Sequence, residues 1–372
     1  MRIAIVGGGL AGATAATELR DRGYDGRLTL CCAEQHLPYE RPPLSKGYLL
    51  GNDELDSVFV HNADWYREHE VDLRLGTRVT GVDLSARRLV TDAGDESYDQ
   101  LVLAMGAQPR RFTLAEESGV PVAYLRTIAD SQRLRQAFAD TPRVAIVGAG
   151  WIGLEVAAAA RTAGCEVTVH EMAELPLVGV LGPEIGQVFA DLHRGHGVDL
   201  RLGAAVTASD LAAADLVVVG IGAAPDISLA EAAGLEVENG VLVDEQLRAS
   251  HPEVYAIGDI ANQAHPRLGH RVRVEHWDNA IEQGKVVAHN LLGAQESYAR
   301  LPYFFTDQYD FGMEYVGHVG PAGYDAVQVE GDTSDAFRAY WLRGEVVVAA
   351  MHANDWDASE EIKASIGTVR QT

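Results

Sequence analysis

Six glycines, in two sets of three, are the residues of this sequence best placed to grip a phosphate. Gly7, Gly9 and Gly12 stand in Gly-x-Gly-x-x-Gly spacing, and Gly148, Gly150 and Gly153 repeat it around Trp151 and Ile152. In such a loop the first glycine permits a tight turn. The second lets backbone approach a pyrophosphate, and the third lets a helix lie close on its strand. The helix start then offers free N–H groups and the positive end of its dipole to the anion. One copy is weak evidence, because a tight turn alone also selects glycine. Two copies point to two dinucleotides, and the pair that does chemistry together is a flavin and a nicotinamide. Two acids extend the pattern: Glu34, 22 residues after Gly12, and Glu171, 18 residues after Gly153. Each suits a ribose hydroxyl. Met172-Ala173-Glu174 offers no arginine for a 2′-phosphate, so NADH is favoured over NADPH.

The elements that must position these residues follow from the apolar pattern. A strand at 2–6, a helix at 10–22 and a strand at 27–32 make one β-α-β unit, and a second runs from Arg143 to Glu171. Shorter strands are expected at 71–75, 78–82 and 87–91. Leu101–Ala107 is an apolar run into a glycine turn, carrying Ala104 and Gly106; Ala214–Gly222 mirrors it with Gly220 and Gly222. The two halves therefore read as an internal repeat. Pro-rich 37–46 holds Arg41 and Lys46 as an ordered cationic lining, or else is a solvated loop. Val254–Ala261 reads as a strand delivering Gly258-Asp259 to a helix start, where the carboxylate binds a polyol or merely caps. A helix follows from about 279 to 292. From Tyr298 on, alternating strands rich in aromatics read as a separate α+β tail domain.

Composition limits the function. The chain has 372 residues, enough for two or three domains, and a formal charge of −24, which argues against nucleic acid. No apolar run reaches the ~18–20 residues of a membrane span. No charged-then-apolar leader precedes the first strand, so a cytoplasmic protein without membrane attachment is expected. Cys31, Cys32 and Cys165 form no C-x-x-C pair and read as structural, which excludes a dithiol–disulfide reductase. His193-Arg194-Gly195-His196 reads as a solvated helix end rather than a metal site, and no metal is expected.

With these residues quoted, the sequence resembles the FAD-dependent NADH:ferredoxin/rubredoxin reductase family (putidaredoxin reductase-like), which serves oxygenases and P450s. The resemblance covers almost the whole chain. It rests on both fingerprints, Arg41-Pro42-Pro43-Leu44-Ser45-Lys46, Gly258-Asp259, Glu275-His276-Trp277 and Phe305-Thr306-Asp307-Gln308-Tyr309. The fold class it implies is α/β, with two Rossmann-like domains of the glutathione-reductase type plus a C-terminal α+β domain. The implied divisions are 1–112 with 241–297 for FAD, 113–240 for NADH and 298–372 for the tail.

The resemblance further implies site roles. Gly7, Gly9, Ala11 and Gly12 would hold the pyrophosphate of a tightly bound, non-covalent FAD. Glu34, Arg41, Lys46, Val79, Ala104, Gly106 and Arg126 would line its pocket. Gly258 and Asp259 would bind its ribityl chain or pyrophosphate, with Glu275, His276 and Trp277 along the ring. Gly148, Gly150, Ile152, Gly153, Glu171, Gly220 and Gly222 would serve NADH. Glu155 would pair with Lys46 near flavin N5, the two acting as the catalytic pair. Three positions depart from the family: Ala33 replaces an acid, Met105 replaces a threonine, and Phe305 stands where tryptophan is common.

The implied activity is hydride transfer from NADH to FAD, then single electrons to a ferredoxin or rubredoxin, an oxidoreductase of the EC 1.18.1 type. Two alternatives stay open: reduction of a small quinone-type acceptor, and an apoptosis-inducing-factor-like docking switch. A cysteine-dependent NADH oxidase is disfavoured, because Pro42-Pro43 occupies the segment that would carry its redox cysteine. Arg267, Arg271, Arg273 and Arg300 are candidate docking cations for the partner, and the oligomeric state is open between monomer and dimer.

Overall fold

The computed structural model describes residues 1–140 and 143–370. The chain divides into two compact units. The first comprises Met1–Arg41, Leu55–Gln108 and Ala224–Pro302; the second comprises Pro42–Glu54, Pro109–Ala223 and Tyr303–Thr372.

The first unit is built on a five-stranded parallel sheet. Its strands run in the order Val254–Ala256, Gln100–Leu103, Arg2–Val6, Arg27–Cys31, Val71–Arg74. Ile3, Ala4 and Ile5 are all buried, as are Leu28, Thr29 and Leu30, so these strands are covered on both faces, as a parallel sheet demands. The chain leaves the central strand in one direction to Arg27–Cys31 and comes back on its other side at Gln100–Leu103. That reversal opens a crevice at the strand ends, where α/β sheets bind ligands. The helix Leu10–Asp21 packs closely on Trp277–Leu291: a Cβ on Gly284 would stand 2.9 Å from the Ala11 carbonyl oxygen. Strands Val79–Asp83, Arg88–Thr91 and Glu96–Ser97 form a small antiparallel sheet.

The second unit repeats the plan. Its parallel sheet runs Asp199–Arg201, Glu166–His170, Arg143–Val147, Leu216–Val219, Val122–Ala123, and the helix Trp151–Thr162 buries Ala157 to Ala160. The remainder is a five-stranded antiparallel sheet in the order Tyr303–Gln308, Phe311–Gly317, Val346–Ala353, Phe337–Arg343, Ala326–Gly331, with the helix Ser359–Ser365. Trp341 anchors it; fully buried, it donates its indole N–H to the Leu181 carbonyl at 3.0 Å.

Two expectations need correction. Gly258-Asp259 does not open a helix; a 3-10 turn at Gly258–Ile260 passes straight into the strand Ala261–His265. Gly258 has φ +72, and its N–H is taken by Gln283 Oε1 at 2.8 Å rather than by a helical ladder. The helix expected from about 279 is present as Trp277–Leu291. The helix end at 193–196 is not wholly solvated: His193 is fully buried while His196 is exposed.

Among the described residues, no helix is long and apolar enough to cross a membrane.

Candidate functional site

In the first unit the fingerprint glycines divide by role. Gly7 has φ +121, and a Cβ there would stand 2.2 Å from the Ala104 carbonyl oxygen. A Cβ on Gly12 would stand 2.2 Å from the Gly7 oxygen. Both are closed to any side chain by backbone. Gly9 differs: the nearest atom to a Cβ there is Arg41 Nη1 at 3.2 Å. Tyr39 bridges to Gly9 and has Arg41 over its ring at 5.7 Å, so this loop holds a guanidinium against the glycine turn.

The helix behind the turn, Leu10–Asp21, has no side-chain cap and no acid in its first turn. Elsewhere Asn62 and Thr207 cap their own helices. A helix start lacking its own carboxylate or hydroxyl, facing a fixed arginine, fits a diphosphate.

The other residues expected around the flavin lie as follows. Glu34 accepts the Tyr39 hydroxyl at 2.8 Å. Ala104 donates its N–H to Val6 at 2.8 Å, and Gly106 accepts from Asp226 N at 3.0 Å. Val79 begins its strand. Gly258 would bring a Cβ within 3.1 Å of Ala11. The Asp259 carbonyl accepts from Arg273 at 3.0 Å, and Arg273 also pairs with Glu275. His276 is the N-cap residue of Trp277–Leu291, and the Trp277 indole donates to Glu40 Oε2 at 2.9 Å. Arg126 belongs to the second unit, its backbone N–H bonded to Asp130 Oδ2 at 3.2 Å.

The second unit reproduces the loop. Gly148 has φ +101 and would meet the Gly220 oxygen at 2.5 Å; Gly153 would meet the Gly148 oxygen at 2.0 Å. Gly150 has nothing closer than 3.9 Å, so its face is open. The repeat extends to single bonds. Gly7 donates to Cys31 O at 2.9 Å and Gly148 to His170 O at 2.8 Å; Ala104 and Gly220 each donate at 2.8 Å to the end of their central strand. Trp151–Thr162 also lacks a side-chain cap and a first-turn acid. Here the carboxylate comes from outside: Glu171 Oε2 accepts Ala149 N–H at 2.7 Å, and Oε1 accepts Ala173 N–H at 2.9 Å. Ile152 is exposed, and the Gly222 oxygen accepts Arg110 N at 2.9 Å. An acid ties the turn of this loop, where an arginine stands at the other.

Lys46 and Glu155, also in the second unit, form a close pair: Nζ lies 2.7 Å from Oε1, with the carboxylate almost wholly buried. Burial of a pair this tight requires every remaining lone pair to be served. Ser45 donates to Oε2, and Thr306 donates to Oε1 at 2.6 Å. Lys46 also lies 5.6 Å from the centre of the Phe305 ring. Ser45, Thr306 and Gln308 were not picked out as partners by sequence. The available signal was Thr306 and Gln308 at alternate positions of an aromatic strand, the buried face, where polar side chains need a reason.

The three free cysteines are buried, and burial pushes the Cys31 thiol up to about 11 and Cys32 to about 12. They are packing residues; a Cβ on Gly8 would strike Cys32 Sγ at 2.3 Å. Three of the four candidate docking arginines already have partners within the protein, although Arg271 and Arg300 remain exposed. Arg271 donates to the Val243 and Asn262 carbonyls, Arg273 is held as above, and Arg300 makes a two-pronged pair with Asp278 at 2.7 Å. Among the described residues, no group of three or more His, Cys, Asp or Glu could hold a metal ion.

The chain is similar to known proteins over most of its length. The pyridine nucleotide-disulphide oxidoreductase family matches residues 1–284. The ferredoxin–NAD(+) reductase component of the anthranilate 1,2-dioxygenase system from Burkholderia cepacia is 41% identical over 367 residues, covering 94% of this chain and 90% of that protein. Putidaredoxin reductase from Pseudomonas putida is 35% identical over 375 residues, covering 95% and 88%. The crystal structure of the covalent putidaredoxin reductase–putidaredoxin complex superposes with a TM-score of 0.90 at 34% identity, covering 98% of this chain and 91% of the other. The chain belongs to the pyridine nucleotide-disulphide oxidoreductase family and, within it, stands among the putidaredoxin reductase-like ferredoxin–NAD(+) reductases.

Proposed function

We propose that this protein is an FAD-dependent NADH:ferredoxin or NADH:rubredoxin reductase supplying electrons to a P450 or another oxygenase. The observation that carries the reading is the unequal pair of glycine cradles, one guarded by Arg41 and the other tied by Glu171. Bound there, FAD would supply the means of accepting hydride from NADH and releasing the electrons singly to an iron–sulfur centre.

The chain's own residues bind and orient. Gly9 and the helix start behind it, with Arg41, hold the FAD pyrophosphate tightly and without a covalent bond. Glu34, Val79, Ala104, Gly106, Arg126, Gly258, Asp259, Glu275, His276 and Trp277 complete that pocket. Gly150, Ile152 and the loop braced by Glu171 hold NADH, with Gly220 and Gly222 at its nicotinamide end. Lys46, fixed by Glu155, keeps a positive charge at the reacting edge of the flavin, where charge changes during transfer. Support for the last role is the burial of Glu155 and the full set of donors around it.

We assign 1–112 with 241–297 to the FAD domain, 113–240 to the NADH domain and 298–372 to the tail, because each range contains one complete main sheet. A cytoplasmic setting fits three buried, reduced cysteines. The test is a coupled assay of the purified yellow protein with NADH or NADPH, following cytochrome c with and without a panel of ferredoxins and rubredoxins. Rapid reduction that needs both NADH and an iron–sulfur protein supports the reading. Equal turnover with a quinone alone overturns the partner assignment.

A further inference from the structure

The buried His193 leads back to the Lys46–Glu155 pair. Its Nε2 lies 2.8 Å from Gln308 Oε1, Gln308 Nε2 lies 3.2 Å from Thr306 Oγ1, and Thr306 Oγ1 lies 2.6 Å from Glu155 Oε1. Thr306, Gln308, His193 and Glu155 are each at most 5% exposed. The hydrogen positions follow from the carboxylate outward. An ionised carboxylate only accepts, so the Thr306 hydroxyl donates to it. Thr306 Oγ1 then accepts, so Gln308 turns its NH2 group toward the threonine and its oxygen toward His193. His193 must therefore carry its proton on Nε2, leaving Nδ1 as an acceptor, and the Tyr309 hydroxyl stands 3.5 Å from it.

Every N–H and O–H dipole along this path has its positive end toward Glu155. Three separate elements supply it: the C-terminal end of Val178–Gly195, the strand Tyr303–Gln308 and the helix Trp151–Thr162. The outer end is braced as well. Tyr309 adopts φ 59, uncommon for a residue with a side chain, and stacks on His196 with ring centres 3.6 Å apart. Burial holds His193 down at about 4, opposed by the Gln308 bond, so it stays neutral and keeps one tautomer through the working pH range.

We propose that Thr306, Gln308 and His193 are positioning residues: a one-way hydrogen-bond chain that holds the Glu155 carboxylate in place, and through it fixes the Lys46 ammonium. The proposal rests on the reading of Lys46 and Glu155 as part of the redox site, but the chain can be tested apart from the flavin. The sequence has only three lysines, Lys46, Lys285 and Lys363. Lys285 and Lys363 are roughly two-fifths exposed and paired to acids three residues away, so they serve as internal references.

Purified FAD-loaded protein carrying Thr306→Val, Gln308→Met or His193→Phe is treated with an amine-acylating reagent at mildly alkaline pH, and each lysine is quantified by mass spectrometry. Lys46 labelling, relative to the other two, is expected to rise roughly tenfold in Thr306→Val, roughly threefold in Gln308→Met and less in His193→Phe. Thr306→Ser and His193→Gln keep the donors and should stay within about twofold of the unaltered protein. Packing loss alone would neither grade with distance along the chain nor be rescued in this way. The flavin midpoint potential is measured on the same samples. Graded labelling with a graded potential supports both the chain and the redox-site reading. Graded labelling with an unmoved potential upholds the chain and overturns the placement of Lys46 at the flavin. Unchanged Lys46 labelling in folded Thr306→Val and Gln308→Met overturns the proposal.

Discussion

Glu171 serves the loop before it serves any ligand. Both of its oxygens accept backbone N–H groups, one of them from the turn at Ala149, so its removal should loosen the cradle and leave a ribose without its acceptor. Glu171→Ala is expected to raise the KM for NADH roughly tenfold, the size of about one hydrogen bond to a charged group. Ferricyanide turnover at saturating NADH and the bound FAD content should barely move. A loss of FAD would contradict the assignment of this residue to the nicotinamide nucleotide. His193 gives a second test at this scale. Buried against Gln308 and facing His196, it is held at about 4 against an ordinary 6.5. As pH falls below about 6.5 the unfolded chain takes up a proton that the folded protein refuses. Stability therefore declines between about pH 6.5 and pH 4, by as much as about 3 kcal/mol from this residue. His193→Gln should flatten that limb of an acid-denaturation curve; an unchanged limb would mean that His193 is not buried neutral.

The two glycine loops are separate elements, and each can be broken alone. A Cβ at Gly12 or Gly153 would fall 2.2 or 2.0 Å from a backbone oxygen that cannot move without unwinding its turn. Gly153→Ala should give a folded, yellow protein that NADH reduces poorly, with KM raised by roughly two orders of magnitude. Gly12→Ala should instead yield protein largely free of FAD. Absorbance at the flavin band and NADH-driven bleaching separate the two. This repeat was legible in the sequence because strand, glycine spacing and helix sit within thirty-odd consecutive residues, where period and turn chemistry decide the structure. Elsewhere the sequence misled. Gly258-Asp259 resembles a helix start, yet the N–H of Gly258 goes to Gln283, 25 residues on, and the chain turns into a strand. Local pattern contains no trace of that bond. The same holds for Ser45, Thr306 and Glu155, 110 and 151 residues apart in sequence yet joined around one carboxylate. Lys46 was legible as a cation in a proline-rich loop, but its pairing with Glu155 became visible only through resemblance to a family, and the donor roles of Ser45 and Thr306 not at all.

Charge is the property of the whole molecule that bears on its partner. The chain carries a formal charge of −24, and most of the arginines first considered for docking are committed to internal bonds. Arg271 holds two carbonyls and Arg300 holds Asp278, so reversing either should lower Tm before it alters recognition. Arg267 is exposed. Arg267→Glu should leave Tm unchanged, raise the KM for ferredoxin severalfold, and flatten its salt dependence. An unaltered KM would remove this part of the surface from the docking site. The measurement that tests the central claim most directly is an anaerobic titration of the purified protein with NADH, read at the visible flavin band. The expected result is a yellow protein that bleaches as NADH is added and regains its colour when an oxidised ferredoxin follows. Colourless protein, or a yellow protein whose band NADH leaves untouched, would contradict it.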